Sequence, residues 1–373
     1  MSAPELTVER VELLRLSMPL RLPFRTSFGT QTHRDVVLAR VDCGGVEGWG
    51  ELVAGSGPWY SEETVGSALV LLREHIVPLM VGASFSHPSA VARLLAPIRG
   101  NHMAKATVET ACWDAWALAG GESLAHVIGG VRDRVPTGVS VGIQDSVAQL
   151  LDLIERHLAE GYARIKVKVE PGWDVEPLAA IRERFGDIPL MADANSAYRL
   201  NDASRLQQLD GFDLTMVEQP LAHDDIADHA VLARQLATPI CLDESLHSAA
   251  LTRHALDLGA CAIVNVKIGR LGGHDESRAV HRLCVERRVP VWCGGMLETG
   301  VGRLHNLAIA SLPGFTLPGD TSASKRYWEA DIIDPPVTLA ADGTVAVPGA
   351  GGIVSRLDRD RLSALVDGRE SFS

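Results

Sequence analysis

The 373-residue chain contains no Cys-x-x-Cys pair. Its six cysteines (Cys43, Cys112, Cys241, Cys261, Cys284, Cys293) are scattered, which argues against a disulfide scaffold and fits reduced thiols in a cytoplasmic protein. No uncharged apolar run reaches membrane-spanning length: even "SALVLLREHIVPLM" is broken by Arg73, Glu74 and His75. The opening "MSAPELTVERVELLRL" is interrupted by Glu5, Glu9, Arg10 and Glu12, so it does not read as a signal peptide. There is no excess of basic charge. A net charge of −12 argues against nucleic acid or an anionic membrane as the main partner, while leaving room for an acidic small molecule at a local cationic site. No G-x-G-x-x-G opens a helix, which weakens a dinucleotide-binding reading, and "GGVEGWG" and "PGAGGI" read as turns. The 13 histidines form no H-x-H or H-E-x-x-H, so zinc geometry is missing as well.

What is present is a rhythm. From about residue 135, short β-rich runs alternate with helical patterns. The runs are 135–143, 164–169, 189–194, 214–220, 239–244, 262–267, 289–295 and 315–320. "DVEPLAAIRERFG" and "DIADHAVLARQLA" lie between them with apolar residues at helical spacing. Strand–helix–strand at this pitch predicts parallel strands, and eight in about 190 residues predict a closed (β/α) barrel. Residues 1–130 read instead as a separate α+β domain. Antiparallel strands flank a "DCGG" turn, two helical stretches follow, and 21–30 and 54–63 read as loops able to act as lids or plain connections. The barrel is expected over 131–320. The tail 321–373 has no barrel rhythm and is expected to pack back on the first domain.

"ARIKVKVEPG" (163–172) puts Ile165, Val167 and Val169 on one face of a strand, and Arg164, Lys166, Lys168 and Glu170 on the other. By itself this is an edge strand with a solvated face. The ends of the other runs argue otherwise. Lys168, Asp193, Glu218, Asp243 and Lys267 close five consecutive runs at intervals of 25, 25, 25 and 24 residues. In a barrel that position is the C-terminal mouth, where active sites are built. Any one of these acids could be only the N-cap of the next helix. Three carboxylates converging after apolar runs call for a divalent cation, and oxygen-only ligands point to Mg²⁺, or Mn²⁺ as a substitute. Lys168 and Lys267, on the second and sixth strands, would face each other across a bound ligand. Lys166 would lower the pKa of Lys168 by like charge. Lysine bases beside a metal suit removal of a proton α to a carboxylate.

The chain resembles the enolase superfamily, in which lysine bases and Mg²⁺ are a known pairing, and within it the muconate-lactonizing subgroup. The signature is Lys166-Val167-Lys168 on the second strand with the lone Lys267 on the sixth. A histidine base late in the barrel, expected of mandelate-racemase-like members, is missing from "VPVWCGGMLETG". The match is closest to the o-succinylbenzoate synthase / N-succinylamino acid racemase family. It is carried by "PFRTSFGT", "GVSVGI", "RIKVKVEPGWDVEP", "DAN", "VEQPL", "CLDES", "IVNVKIGRLGG", "PVWCGGMLETGVGR" and "SLPGFTLPGDTSAS" in order. One departure is Ile268, where proline is expected after the sixth-strand lysine.

The resemblance implies a modified TIM (β/α)7β barrel with an N-terminal α+β capping domain completed by the C-terminal tail. It implies Mg²⁺ on Asp193, Glu218 and Asp243, and Lys168 and Lys267 as the acid/base pair. Lys166 and Asn195 would help hold the substrate carboxylate, and Ser140, Gly295 and Met296 would contact the succinyl end. The implied reactions are dehydration to o-succinylbenzoate in menaquinone biosynthesis and two-base racemisation of an N-succinylamino acid. A homo-oligomer acting on a small-molecule carboxylate is expected. A dipeptide epimerase or muconate cycloisomerase is the near alternative, although "PGDTSAS" lacks the D-x-D of such epimerases. A non-catalytic anion-binding barrel is the alternative from another class, and opposed bases argue against it.

Overall fold

The computed structural model describes residues 4–373. Near the N-terminus, strands Arg10–Thr26, Gly29–Cys43 and Val46–Leu52 form an antiparallel sheet. Its second hairpin pairs Cys43 with Val46 across Gly44 and Gly45, both at positive φ, as a tight two-residue turn requires. The fourth strand of this sheet is Val366–Phe372 from the far end of the chain, antiparallel to Arg10–Thr26. The tail thus does return to the first sheet, after Thr344–Ala346 has paired with Arg134–Pro136.

The helix His102–Ala119 lies across the strand Val46–Leu52 at very close range. Gly48 and Gly50 make the approach possible: a Cβ at Gly50 would sit 2.1 Å from the Thr107 carbonyl oxygen, and one at Gly48 2.0 Å from that of Ala111.

Seven parallel strands follow in chain order: Val139–Val141, Ile165–Lys168, Leu190–Asp193, Met216–Glu218, Ile240–Leu242, Ile263–Val266 and Val291–Cys293. The expected eighth, 315–320, is not a regular strand. Parallel bridges tie it to the edge strand at Val291, from Phe315, and to Thr137 just before the first barrel strand, from Gly319. The Gly138 N–H donates to Gly319 O at 2.8 Å and the Asp320 N–H to Cys293 O at 2.8 Å, so the ring closes. Pro318 has no N–H to add to a ladder, which accounts for the irregularity. The expected first strand, 135–143, is likewise split at Thr137–Gly138. The result is the modified TIM barrel. The sequence-expected helices appear as Val175–Phe185, capped by Asp174, and Ile226–Ala233, capped by Asp225.

Residues 21–30 are not a loop. They form the end of a hairpin, with Phe24, Arg25 and Thr26 opposite Gln31, Thr30 and Gly29 beyond an irregularity after Pro19. The tip is docked, because Arg25 O accepts from the Ile143 N–H at 3.0 Å and Ser27 Oγ donates to Ala194 O at 3.3 Å. Residues 54–63 are irregular, apart from a bridge from Gly55 to Thr64 that pins their base.

Buried carboxylates seat the sheet and its helix on the barrel. Glu51 accepts from the N–H and hydroxyl of Thr299 (3.0 and 2.6 Å) and from the Gly302 N–H (2.9 Å), capping the helix Gly300–Ala310. Glu109 does the same for His274–Arg287, accepting from the N–H groups of His274 (2.8 Å) and Asp275 (2.9 Å). Burial pushes both acids up to about 7, against these donors. No helix among the described residues is long and apolar enough to cross a membrane.

Replacing Gly50 by alanine should cost about 1–3 kcal/mol through overpacking, read as a lower Tm in calorimetry. The clash is with backbone, which cannot swing aside. A Gly50→Ala protein melting with the wild type would show that the helix can withdraw freely.

Candidate active site

Alternation along the barrel strands sends one set of side chains inward. Its lower part is apolar, with Met191, Met216, Cys241, Ile263 and Trp292 packed together and buried. Toward the C-terminal ends of the strands the set becomes charged. Register shows how. Lys168 pairs with Asp193 and Asp193 with Glu218, so these three stand side by side. Glu218 then pairs with Cys241, and Cys241 with Ile263. Asp243 therefore stands two residues beyond that line, and Lys267 four beyond it. Equal spacing in the chain does not mean equal register. Barrel strands tilt, so a line of hydrogen-bonded partners drifts along the axis, and stepping up the later strands holds the side chains at the mouth.

None of Lys166, Lys168, Asp193, Glu218, Asp243 and Lys267 is more than 8% exposed, so each charge must find a partner inside the protein. Lys166 Nζ lies 2.7 Å from Asp320, 2.9 Å from Glu218 and 3.1 Å from Asp193, and 4.6 Å from the centre of the Trp292 ring. Lys168 Nζ donates to Asp193 Oδ2 and Asn195 Oδ1, both at 2.6 Å. Lys267 Nζ donates to Asp243 Oδ2 at 2.7 Å and to the Tyr60 hydroxyl at 3.1 Å. Arg270 also donates to Asp243, and Asn265 Nδ2 to Glu218 Oε1 at 2.7 Å.

Burial alone would lower the pKa of Lys166, but Asp320, Glu218 and Asp193 outweigh it and hold the ammonium above the ordinary lysine value. Lys166 is thus surrounded by acids that match its charge. Burial likewise works against the ionised form of Asp193, yet Lys168 and Lys166 bring it below the usual carboxylate range. Glu218 goes the other way, raised by burial and by Asp193.

Lys166, Lys168, Lys267, Asn195, Ser140, Gly295 and Met296 all line one cavity, which Tyr60 from the segment 54–63 and Phe24 from the hairpin tip also border. Asp193, Glu218 and Asp243 lie behind the lysines and form no part of its wall. As they stand, no three Asp, Glu, His or Cys side chains among the described residues are gathered at metal-binding spacing. The acids are turned onto lysine ammonium groups instead. The donor chemistry still fits a hard divalent cation: three buried carboxylates on successive strands, no imidazole or thiolate among them, and Glu244 Oε2 buried nearby without a partner.

Several residues of this site escaped the sequence reading. Asp320 was visible as a charge ending the last barrel segment, but not its ion pairs to Lys166 and, at 2.9 Å, to Arg164. Arg270 lies on the short buried helix Ile268–Leu271, directly after Lys267. Ile268 opens that helix, with its side chain buried. Proline suits such a first helical position because its missing N–H is not needed there. Tyr60 and Arg34 arrive from the capping sheet and its loops and carry no periodic signal.

Residues 149–361 match the family described as enolase C-terminal domain-like, and residues 9–129 the mandelate racemase / muconate lactonizing enzyme N-terminal domain. An o-succinylbenzoate synthase of Geobacillus kaustophilus is 54% identical over 96% of this chain and 95% of its own. An N-succinylamino acid racemase of Thermus thermophilus is 52% identical over 93% and 94%. Among solved structures, an enolase superfamily member from Listeria innocua superposes with a TM-score of 0.95 at 39% identity, covering 98% of this chain and 99% of that one. Muconate lactonizing enzyme from Pseudomonas fluorescens gives 0.90 at 25% identity, covering 96% and 99%. With fold, charged barrel mouth and whole-length similarity in agreement, the chain belongs to the enolase superfamily, as an enzyme of the o-succinylbenzoate synthase / N-succinylamino acid racemase family.

Proposed function

We propose that this enzyme removes the proton α to a carboxylate with Lys168 and Lys267, and that it carries out o-succinylbenzoate synthesis, N-succinylamino acid racemisation, or both. The observation that carries the reading is the placement of two buried lysines, from the second and sixth of the ordered barrel strands, in the wall of one cavity. Strands four places apart in an eight-membered ring stand opposite each other. A planar carbanion formed between them can therefore be approached from both faces.

Asp193, Glu218 and Asp243 would hold Mg²⁺, which would supply positive charge beside the substrate carboxylate. With these acids so engaged, Lys168 keeps the neutral amide oxygen of Asn195 as a partner, and Lys267 keeps the Tyr60 hydroxyl. Both are thereby aimed into the cavity. Asp320 continues to hold Lys166, leaving that ammonium fixed beside the reacting carboxylate.

In racemisation, one lysine takes the α-proton and the other delivers a proton to the opposite face. In dehydration, Lys168 takes the α-proton and, now an ammonium, returns one to the departing hydroxyl, which leaves as water. Lys267 then serves as a cation. The epimerase alternative is disfavoured by Asp320, whose carboxylate is already paired with Lys166 and Arg164, and by Ser322 standing two residues on. A purely binding barrel would not need opposed bases.

The test is kcat/KM, with Mg²⁺, for dehydration of the cyclohexadiene carboxylate precursor beside racemisation of an N-succinylamino acid. Release of the aromatic product reads the first reaction, and α-proton exchange into deuterated solvent reads the second. Both should vanish on chelation of divalent metal; neither dehydration nor exchange in any condition would overturn the reading. Lys267→Ala should lower racemisation by at least about 1000-fold from either enantiomer, and a variant that still racemises both would refute the two-base mechanism. Asp243→Asn should weaken Mg²⁺ binding by about 100-fold in a calorimetric titration. An unchanged titration would remove Asp243 from the site.

A further inference from the structure

We propose that Gly269 is a positioning residue: the notch it leaves receives Val53 of the capping domain and fixes where Lys267 stands, so that the cap governs the proton transfer made by Lys267 and not the one made by Lys168. This rests on the proposed function, which makes the two lysines separate bases. Lys267 is the N-cap of the buried helix Ile268–Leu271, and its carbonyl accepts from the Leu271 N–H at 3.1 Å. A single turn of helix therefore follows the lysine, and a shift of that turn moves it. The second residue of the turn has no side chain. A Cβ built on Gly269 would stand 2.2 Å from Val53 Cγ2, 3.5 Å from its Cβ and 3.8 Å from its Cγ1. One methyl group of Val53 thus occupies the space where any other side chain would begin.

Val53 follows directly on the strand Val46–Leu52, is buried in the apolar core of the cap and also lines the catalytic cavity. Its β-branched side chain has little freedom to turn aside. Farther along the same segment comes Tyr60, whose hydroxyl accepts from Lys267 Nζ at 3.1 Å. The cap therefore meets Lys267 at two places, at the turn that follows it through Val53 and at its ammonium through Tyr60. Lys168 is held otherwise: the hydrogen-bond partners of its ammonium, Asp193 and Asn195, both belong to the barrel. The two bases thus answer to different parts of the molecule. A displacement of about 1 Å at a reacting group is enough to cost about 100-fold in rate.

The experiment follows α-proton exchange into deuterated solvent, with Mg²⁺, separately for the two enantiomers of N-succinyl-phenylalanine. Opposed lysines face opposite sides of the α-carbon, so each enantiomer presents its proton to one of them, and Lys267→Ala identifies the enantiomer that depends on Lys267. Gly269→Ala should lower exchange of that enantiomer by about 100-fold, mostly in kcat, and of the other by less than about 5-fold. Val53→Ala, which empties the notch, should slow the same enantiomer by about 5-fold relative to the other. The pair Gly269→Ala/Val53→Ala removes the clashing methyl group, and should bring exchange back to within about 10-fold of the wild type. The ratio of enantiomers is taken within each preparation, so a fraction of unfolded protein cancels, and Val53→Ala carries the test if Gly269→Ala does not fold. Equal effects on both enantiomers, including none, or a double variant no faster than Gly269→Ala, would overturn the proposal and leave the two-base chemistry intact. Exchange of neither enantiomer by the wild type, or by Lys267→Ala, would overturn it by denying that the lysines act separately, while dehydration still decides the proposed function.

Discussion

The structure depends on the matching of charge inside the barrel mouth. Lys166 is surrounded by Asp320, Glu218 and Asp193, which come from three other parts of the ring. Removing one partner from such a buried set leaves an uncompensated charge, at about 3–5 kcal/mol. The cluster thus does two things at once. It ties the second strand to the third and fourth strands and to the irregular closing segment, and it keeps carboxylates and ammonium groups together where water would otherwise be needed. A barrel filled only with residues like Met216 and Trp292 would need no such bonds, but it would have no chemistry at its mouth.

The same economy of donors governs how the capping sheet sits. Glu51 and Glu109 reach from the sheet and its helix to the buried N–H groups at the starts of two barrel helices, which have no partner within those helices. These acids are satisfied by neutral donors rather than cations, and burial leaves them far above ordinary carboxylates. Their bonds are directional, so they orient the cap as well as attach it. That orientation delivers Tyr60 to Lys267 and places Arg34 and Phe24 in the cavity wall. The cap therefore completes the cavity wall with groups the barrel cannot supply.

Much of this was legible in the chain. Alternation in "RIKVKV" separates inward from outward side chains, and repeated charges after apolar runs mark the ends of barrel strands, because both are local consequences of strand geometry. The reading went wrong where two segments interact. Residues 21–30 look like a loop by composition, yet they pair across a hairpin and dock on the first barrel strand. The run 315–320 looks like a strand, yet Pro318 and its two neighbours in space reduce it to bridges. Lys166 shows its charge in the sequence but not its partners, one of which, Asp320, lies far along the chain.

The sequence by itself determined the barrel, its strand ends, the K-x-K pair and the three carboxylates, since periodicity and residue chemistry repeat along the chain and need no knowledge of distant contacts. Tertiary structure alone decided the stagger that lifts Asp243 and Lys267 to the mouth, the commitment of Asp320 to Lys166 and Arg164, and the arrival of Arg34 in the cavity wall. Each of these depends on barrel tilt or on segments far apart in the chain, and no local pattern records which distant group will stand within hydrogen-bonding reach.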